Sequence, residues 1–138
     1  MSTGTKDEIL AYLPPAAKML GREVVEIDQV KGGAVLRFRA QPEFLNRHGT
    51  VQGGILCAML DSSTALALYA VLPAEETGLT ANLNVSFLKP AKVGVFTATS
   101  RLVTRDERNA ETVGELRDAD GVLVATATAR LRIVPRRD

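Results

Sequence analysis

The sequence has one cysteine, Cys57, and one histidine, His48, in 138 residues. A single thiol forms no intrachain disulfide, and neither a multi-Cys nor a multi-His metal site can be assembled. No metal is therefore expected, and the default compartment is a reducing, cytoplasmic one. Charge of one sign is not in excess either, since 17 Lys and Arg against 16 Asp and Glu leave a net +1. So weak a field gives no reason to expect nucleic acid or an anionic membrane as a partner. Long uninterrupted apolar runs are missing too. The most apolar segment, Gly54 to Leu72, carries Asp61, Ser62, Ser63 and Thr64 at its middle, where a carboxylate opposes insertion into lipid. It reads as a buried helix. The first twenty residues lack a basic region followed by a continuous apolar run, so no export signal is expected.

What is present suits one folded domain. Apolar residues make up 46% and charged residues 24%, and a chain of this length typically buries roughly 68–70% of its unfolded surface. A short helical segment is expected over residues 1–21, running from Lys6 to Leu20 with a break at Pro14 and Pro15. The main domain then spans 22–138. Residues Arg22 to Ala40 alternate apolar and polar with a turn at Lys31-Gly32-Gly33, the pattern of a β-hairpin. A glycine-rich loop from Gln41 to Gly53 leads into the apolar helix. Past Pro73 the period of two returns, with Leu79, Ala81, Leu83, Val85 and Phe87 expected on one face of a strand. Strands are also expected at Gly94–Thr104, Glu111–Arg117 and Val122–Val134, the last two joined by the turn Asp118-Ala119-Asp120-Gly121. This order predicts an α+β domain, its antiparallel sheet wrapped around one long central helix.

Two features carry chemistry. Gly53-Gly54 stands where loop becomes helix. Free N–H groups at a helix start, beside residues without a side chain, can stabilise an oxygen gaining negative charge, as acyl transfer requires. The same pair also reads as a plain tight turn. Asp61 lies among Cys57, Ala58, Leu60, Ala65 and Leu68. A carboxylate so placed must be paired, hydrated or employed, or else serve as a cap for a helix restarting at Ser62. At about 1.5 Å per residue, Asp61 is roughly 12 Å along the axis from Gly53. It cannot reach an oxygen held at its own helix start, so a joint action on one carbonyl requires two chains with antiparallel helices across a two-fold axis. Cys57 is one turn from Asp61, whose charge disfavours a thiolate, and is read as a core residue.

The run Asn46-(x)2-Gly49-(x)2-Gln52-Gly53-Gly54, the later Asp61, and Asn84-Val85-Ser86-Phe87-Leu88-Lys89-Pro90-Ala91-Lys92-(x)-Gly94 resemble the hotdog-fold acyl-CoA thioesterases. Within these the resemblance is to the phenylacetate-degradation type that includes the human thioesterase superfamily member 2, and it covers residues 22 to 134. It implies a hotdog fold, hydrolysis of an acyl-CoA to a free acid and CoA, no cofactor beyond the CoA of the substrate, and a homodimer with shared sites that pairs again into a tetramer. By this resemblance Gly53, with Gly54 beside it, polarises the thioester carbonyl. Asp61 is the catalytic base or nucleophile, Asn46 orients water or carbonyl, and Thr80 assists the water. Lys89, Lys92, Arg105 and Arg108 are candidates to meet the CoA phosphates, or else are solvated surface. Many relatives have His where this chain has Gln52, which donates a hydrogen bond but exchanges no proton near neutrality. His48, four residues earlier, is the alternative proton carrier, or a plain loop residue.

Two rival readings follow from the same residues. A hotdog hydratase or dehydratase would pair His48 with Asp61. A non-catalytic acyl-CoA-binding module is the reading that Gln52 favours.

Overall fold

The computed structural model describes residues 4–137. Its elements are α1 (Lys6–Ala11), α2 (Pro15–Met19), β1 (Glu23–Asp28), β2 (Gly33–Ala40), α3 (Gly53–Tyr69), β3 (Glu76–Phe87), β4 (Gly94–Arg105), β5 (Asn109–Arg117) and β6 (Leu123–Pro135). The six strands form one sheet in the order β1-β2-β4-β5-β6-β3, every pairing antiparallel. Helix α3 lies across one face and touches β2 through β6. This is the hotdog arrangement.

Each boundary has a local cause. The expected N-terminal helix is two helices, because Pro14 ends any continuation and Pro15 opens the second one at the position where a missing N–H costs nothing. Thr5 and Glu8 close a capping box on α1. The first hairpin turns where the Asp28 carboxylate accepts from the Val30 and Lys31 N–H groups, each at 2.9 Å. Gly32 there has φ of +87° and room for no Cβ, which would lie 2.9 Å from that of Leu102. The central helix starts one residue earlier than expected, at Gly53, and ends at Tyr69 rather than Leu72. Its last turn is capped from a distance. The Lys6 ammonium donates to the carbonyl oxygens of Tyr69 and Leu72, placing a cation where the helix dipole is negative.

Burial follows from these positions. Leu36 and Phe38 of β2, Phe96 and Ala98 of β4, Leu116 of β5 and Val124 and Ala125 of β6 pack against Leu56, Met59 and Leu60 of α3. A second cluster joins Leu68 and Leu72 to Ala110, Ala129, Leu131 and Ile133. Alternation in β6 is as expected, with Ala127, Ala129, Leu131 and Ile133 buried and Thr128, Arg130 and Arg132 exposed. Strand β3 departs from it. The register with β6 slips between Thr80 and Asn82, leaving Ala81 as an extra residue. The slip exchanges the two faces: Gly78 is buried against Leu68, Leu79 is 56% exposed, and Leu83 and Val85 beyond the bulge turn back to the core. The expectation of one continuous apolar face from Leu79 to Phe87 is therefore corrected, since a bulge inserts one residue into a period of two.

Candidate active site

The bulge decides where Thr80 points. Its hydroxyl donates to Asp61 Oδ1 at 2.8 Å. Asp61 is half-buried at the middle of α3, so the carboxylate is paired, as its setting among apolar residues demands, and Oδ2 is left for other work. The reading of Asp61 as a cap is set aside, because α3 runs unbroken from Gly53 to Tyr69. Beside it, Cys57 is partly exposed. Burial, and then the Asp61 charge, push its thiol above the ordinary value, the opposite of what a thiolate nucleophile needs.

The other candidate group is at the helix start. Gln52 occupies the N-cap position, contributes no side-chain cap and is exposed. Its backbone N–H donates to the Phe44 carbonyl at 2.8 Å, while its carbonyl accepts from Ile55. Among the described residues the N–H groups of Gly53 and Gly54 meet no acceptor. A Cβ on Gly53 would lie 3.2 Å from the Phe87 ring, whereas one on Gly54 would meet nothing within 4 Å. Phe87 itself is 54% exposed. Helix and strand thus run antiparallel, Gly53 beside Phe87 and Asp61 beside Thr80.

The structure separates several residues that the sequence grouped. The Asn46 side chain is committed to its own loop: Oδ1 accepts from the His48 and Thr50 N–H groups, at 2.9 and 3.2 Å, and Nδ2 donates to Thr50 Oγ1 at 3.0 Å. His48 is exposed on that loop, at the opposite end of eight helical residues from Asp61. Lys89 and Lys92 precede β4 while Arg105 ends it, and twelve extended residues keep the pairs roughly 36 Å apart within one chain. Arg108 instead shares a cleft of about 380 Å³ with Asn109, Arg132 and Ile133. Arg105 faces a different cleft with Asp106, Glu111 and Arg130. Among the described residues the one ion pair is Arg117 with Glu115, so Arg108 and Arg132 have no carboxylate at ion-pair distance. Two larger clefts, of about 490 and 420 Å³, lie on the sheet face away from α3 and include neither Asp61 nor Gly53.

Sequence reading missed two contacts. Arg22 donates to Ser62 Oγ at 3.2 Å and to the Tyr12 carbonyl at 2.9 Å, tying the N-terminal segment to the residue after Asp61. Phe87 covers Gly53. Neither pairing has a sequence signal, because both depend on which elements the sheet brings together.

Comparison with known proteins places this geometry. The thioesterase superfamily pattern matches residues 48–125, from the glycine loop through α3 to the start of β6. The chain belongs to the thioesterase superfamily. It is a thioester hydrolase. A protein of Ralstonia eutropha JMP134 described as a phenylacetic acid degradation-related thioesterase shares 39% identity, with 94% of this chain and 99% of that one superposed at a TM-score of 0.87. A Saccharolobus solfataricus protein described only as an esterase is 31% identical over 121 residues, 88% of this chain and 84% of its own. The medium/long-chain acyl-CoA thioesterase YigI of Salmonella typhimurium is 28% identical, covering 88% of this chain and 87% of its own.

Proposed function

We propose that this thioesterase hydrolyses acyl-CoA esters in sites shared by two copies of the chain. The thioester carbonyl docks on the Gly53 and Gly54 N–H groups of one copy. Asp61 of the other takes a proton from water as the water oxygen bonds to the carbonyl carbon; the C–S bond then breaks and the CoA sulfur leaves with a proton. The products are the free acid and CoA. Thr80 holds Oδ1 and so aims the carboxylate. Gln52 and His48 flank the mouth as contacts for the substrate. Asn46 acts by holding the loop that presents the two glycines. The step uses no metal or other cofactor.

The observation that carries this reading is the hydrogen bond to Asp61 from Thr80, which lies on β3, one of the two edge strands of the sheet. The outer edge of a twelve-residue strand, paired to β6 on one side only, is a template for a second copy. Antiparallel pairing about an axis near Leu83 sets Thr80 across from Ser86 of the partner subunit. It also brings the partner's Phe87, and the Gly53 beneath it, next to Asp61. The same axis carries the partner's Lys89 towards the end of the sheet that holds Arg108 and Arg132. We assign those three cations to the CoA phosphates, with Arg105 in a lesser part because its cleft already holds two carboxylates. The pairing of dimers into a tetramer belongs to the same proposal.

The test is release of CoA thiol from a panel of aryl- and alkyl-CoA esters. The Asp61→Asn variant, which keeps size and removes the base, should fall by about 10²–10⁴-fold. Release at the wild-type rate would overturn the assignment. Hydration of an enoyl-CoA without new thiol would point to the hydratase reading, and binding without turnover to the non-catalytic one.

A further inference from the structure

Four polar side chains are buried among the described residues: Ser63, Thr64, Ser100 and Thr112. They converge on one place. Ser63 and Thr64 follow Asp61 on α3, and the Ser100 hydroxyl of β4 donates to the Ser63 carbonyl at 2.7 Å. Ser100 pairs with Gly114 of β5, and a Cβ on Gly114 would lie 3.1 Å from Thr64 Cγ2 and 3.4 Å from Leu60 Cδ2. Thr112 is two residues from Gly114 on the same strand face. With its methyl against Gly114, Thr64 turns its hydroxyl back along the helix, donating to the Leu60 carbonyl at 2.8 Å and to the Asp61 carbonyl at 3.3 Å.

Two members of this belt carry an unmet polar group: among the described residues Ser63 Oγ and Thr112 Oγ1 are buried with no partner, which is unfavourable. Glycine inside a strand and threonine inside a helix both weaken their elements relative to ordinary choices. Departures from the local rules that gather under one helical turn mark a place under functional constraint. The turn in question carries Asp61.

We propose that Thr64 and Ser100 are positioning residues that fix the rotation and axial register of the Asp61 turn over the sheet, and through it the aim of the carboxylate. Ser100 ties the helix backbone to β4, Thr64 ties the carbonyls of that turn together, and Gly114 lets the helix come close enough for both. Thr80 on β3 belongs to the same sheet, so the clamp sets the gap that the Thr80 bond closes. This inference rests on the catalytic role of Asp61.

The test uses Thr64→Val, which keeps shape and loses the hydroxyl, alongside Thr64→Ser, Ser100→Ala and Asp61→Asn, with melting temperature recorded for each. Thr64→Val and Ser100→Ala should lower kcat about tenfold with KM little changed, as a small misplacement of a reacting group does. Thr64→Ser should restore the rate. In an Asp61→Asn background Thr64→Val should cost nothing more, because the group being aimed is gone. If kcat of both single variants is unchanged, or if the Thr64→Val loss is as large in the Asp61→Asn background, the clamp is refuted. Should Thr64→Val fail to fold, Ser100→Ala carries the same comparison. A fully active Asp61→Asn would instead refute the catalytic role beneath it, so the two failures are distinguishable.

Discussion

At the scale of single residues, Asp61 and Cys57 stand one helical turn apart, and in the proposed site the carboxylate works while the thiol does not. Burial and the Asp61 charge hold the Cys57 thiol above its ordinary value, so little thiolate exists at neutral pH. Cys57→Ala should keep at least half the wild-type kcat, and wild-type enzyme should resist iodoacetamide at pH 7 over the course of an assay. Rapid inactivation by alkylation, with the variant inactive as well, would reverse the roles. Thr80→Val keeps the shape and removes the bond to Asp61; the expected result is a fall in kcat with KM held. Asp61 and the glycine pair were legible in the sequence because their chemistry is unusual for their surroundings: a carboxylate in an apolar helix, and two residues without side chains at a helix start. The partner of Asp61 was legible only through a resemblance. Periodicity put Thr80 on the face away from α3, and the extra residue at Ala81 sets it on the side of α3, exposed but bonded to Asp61.

At the scale of elements, every strand and the central helix could be anticipated from alternation and composition, with errors confined to ends and to the bulge. Helix α3 is apolar nearly all round because sheet, N-terminal segment and neighbouring strands cover most of its circumference. Leu60 is fully buried on it, and Leu60→Ala should cost about 2–5 kcal/mol in a denaturant titration. Turns respond to acid instead. The carboxylates of Asp28 and Asp106 are held below their ordinary values, first by the backbone N–H groups they accept from. A carboxyl group lowered on folding adds stability that is complete above its unfolded value and is lost as pH falls through the folded one. Wild-type melting temperature should therefore drop between about pH 5 and 3, and Asp28→Asn with Asp106→Asn should flatten that drop. An unchanged acid limb would show that these turns are not the source. The cap that Lys6 places on the far end of α3 left no trace in the sequence, since sixty-odd residues separate it from the carbonyls it meets.

For the whole molecule, the sequence held more than one copy can use. Asp61 and Gly53 are too far apart along one rigid helix to meet, and in the proposed dimer the outer edge of β3 joins two copies. Charge enters at this scale as well. Arg108→Ala with Arg132→Ala should raise KM for an acyl-CoA and reduce its dependence on salt, with kcat unaltered, while a thioester of N-acetylcysteamine, which lacks the phosphates, should be hydrolysed as by wild type. Equal losses on both substrates would move the phosphate site elsewhere. The most direct test of the shared site is complementation between two inactive chains. Asp61→Asn removes the base, and Gly54→Val, whose side chain enters open space in its own chain, obstructs the carbonyl site. Co-expressed, the two variants should recover about a quarter of wild-type activity, because half of randomly paired dimers hold one intact composite site. Activity no greater than that of the two variants assayed separately would mean that each copy works alone, and the account would be wrong.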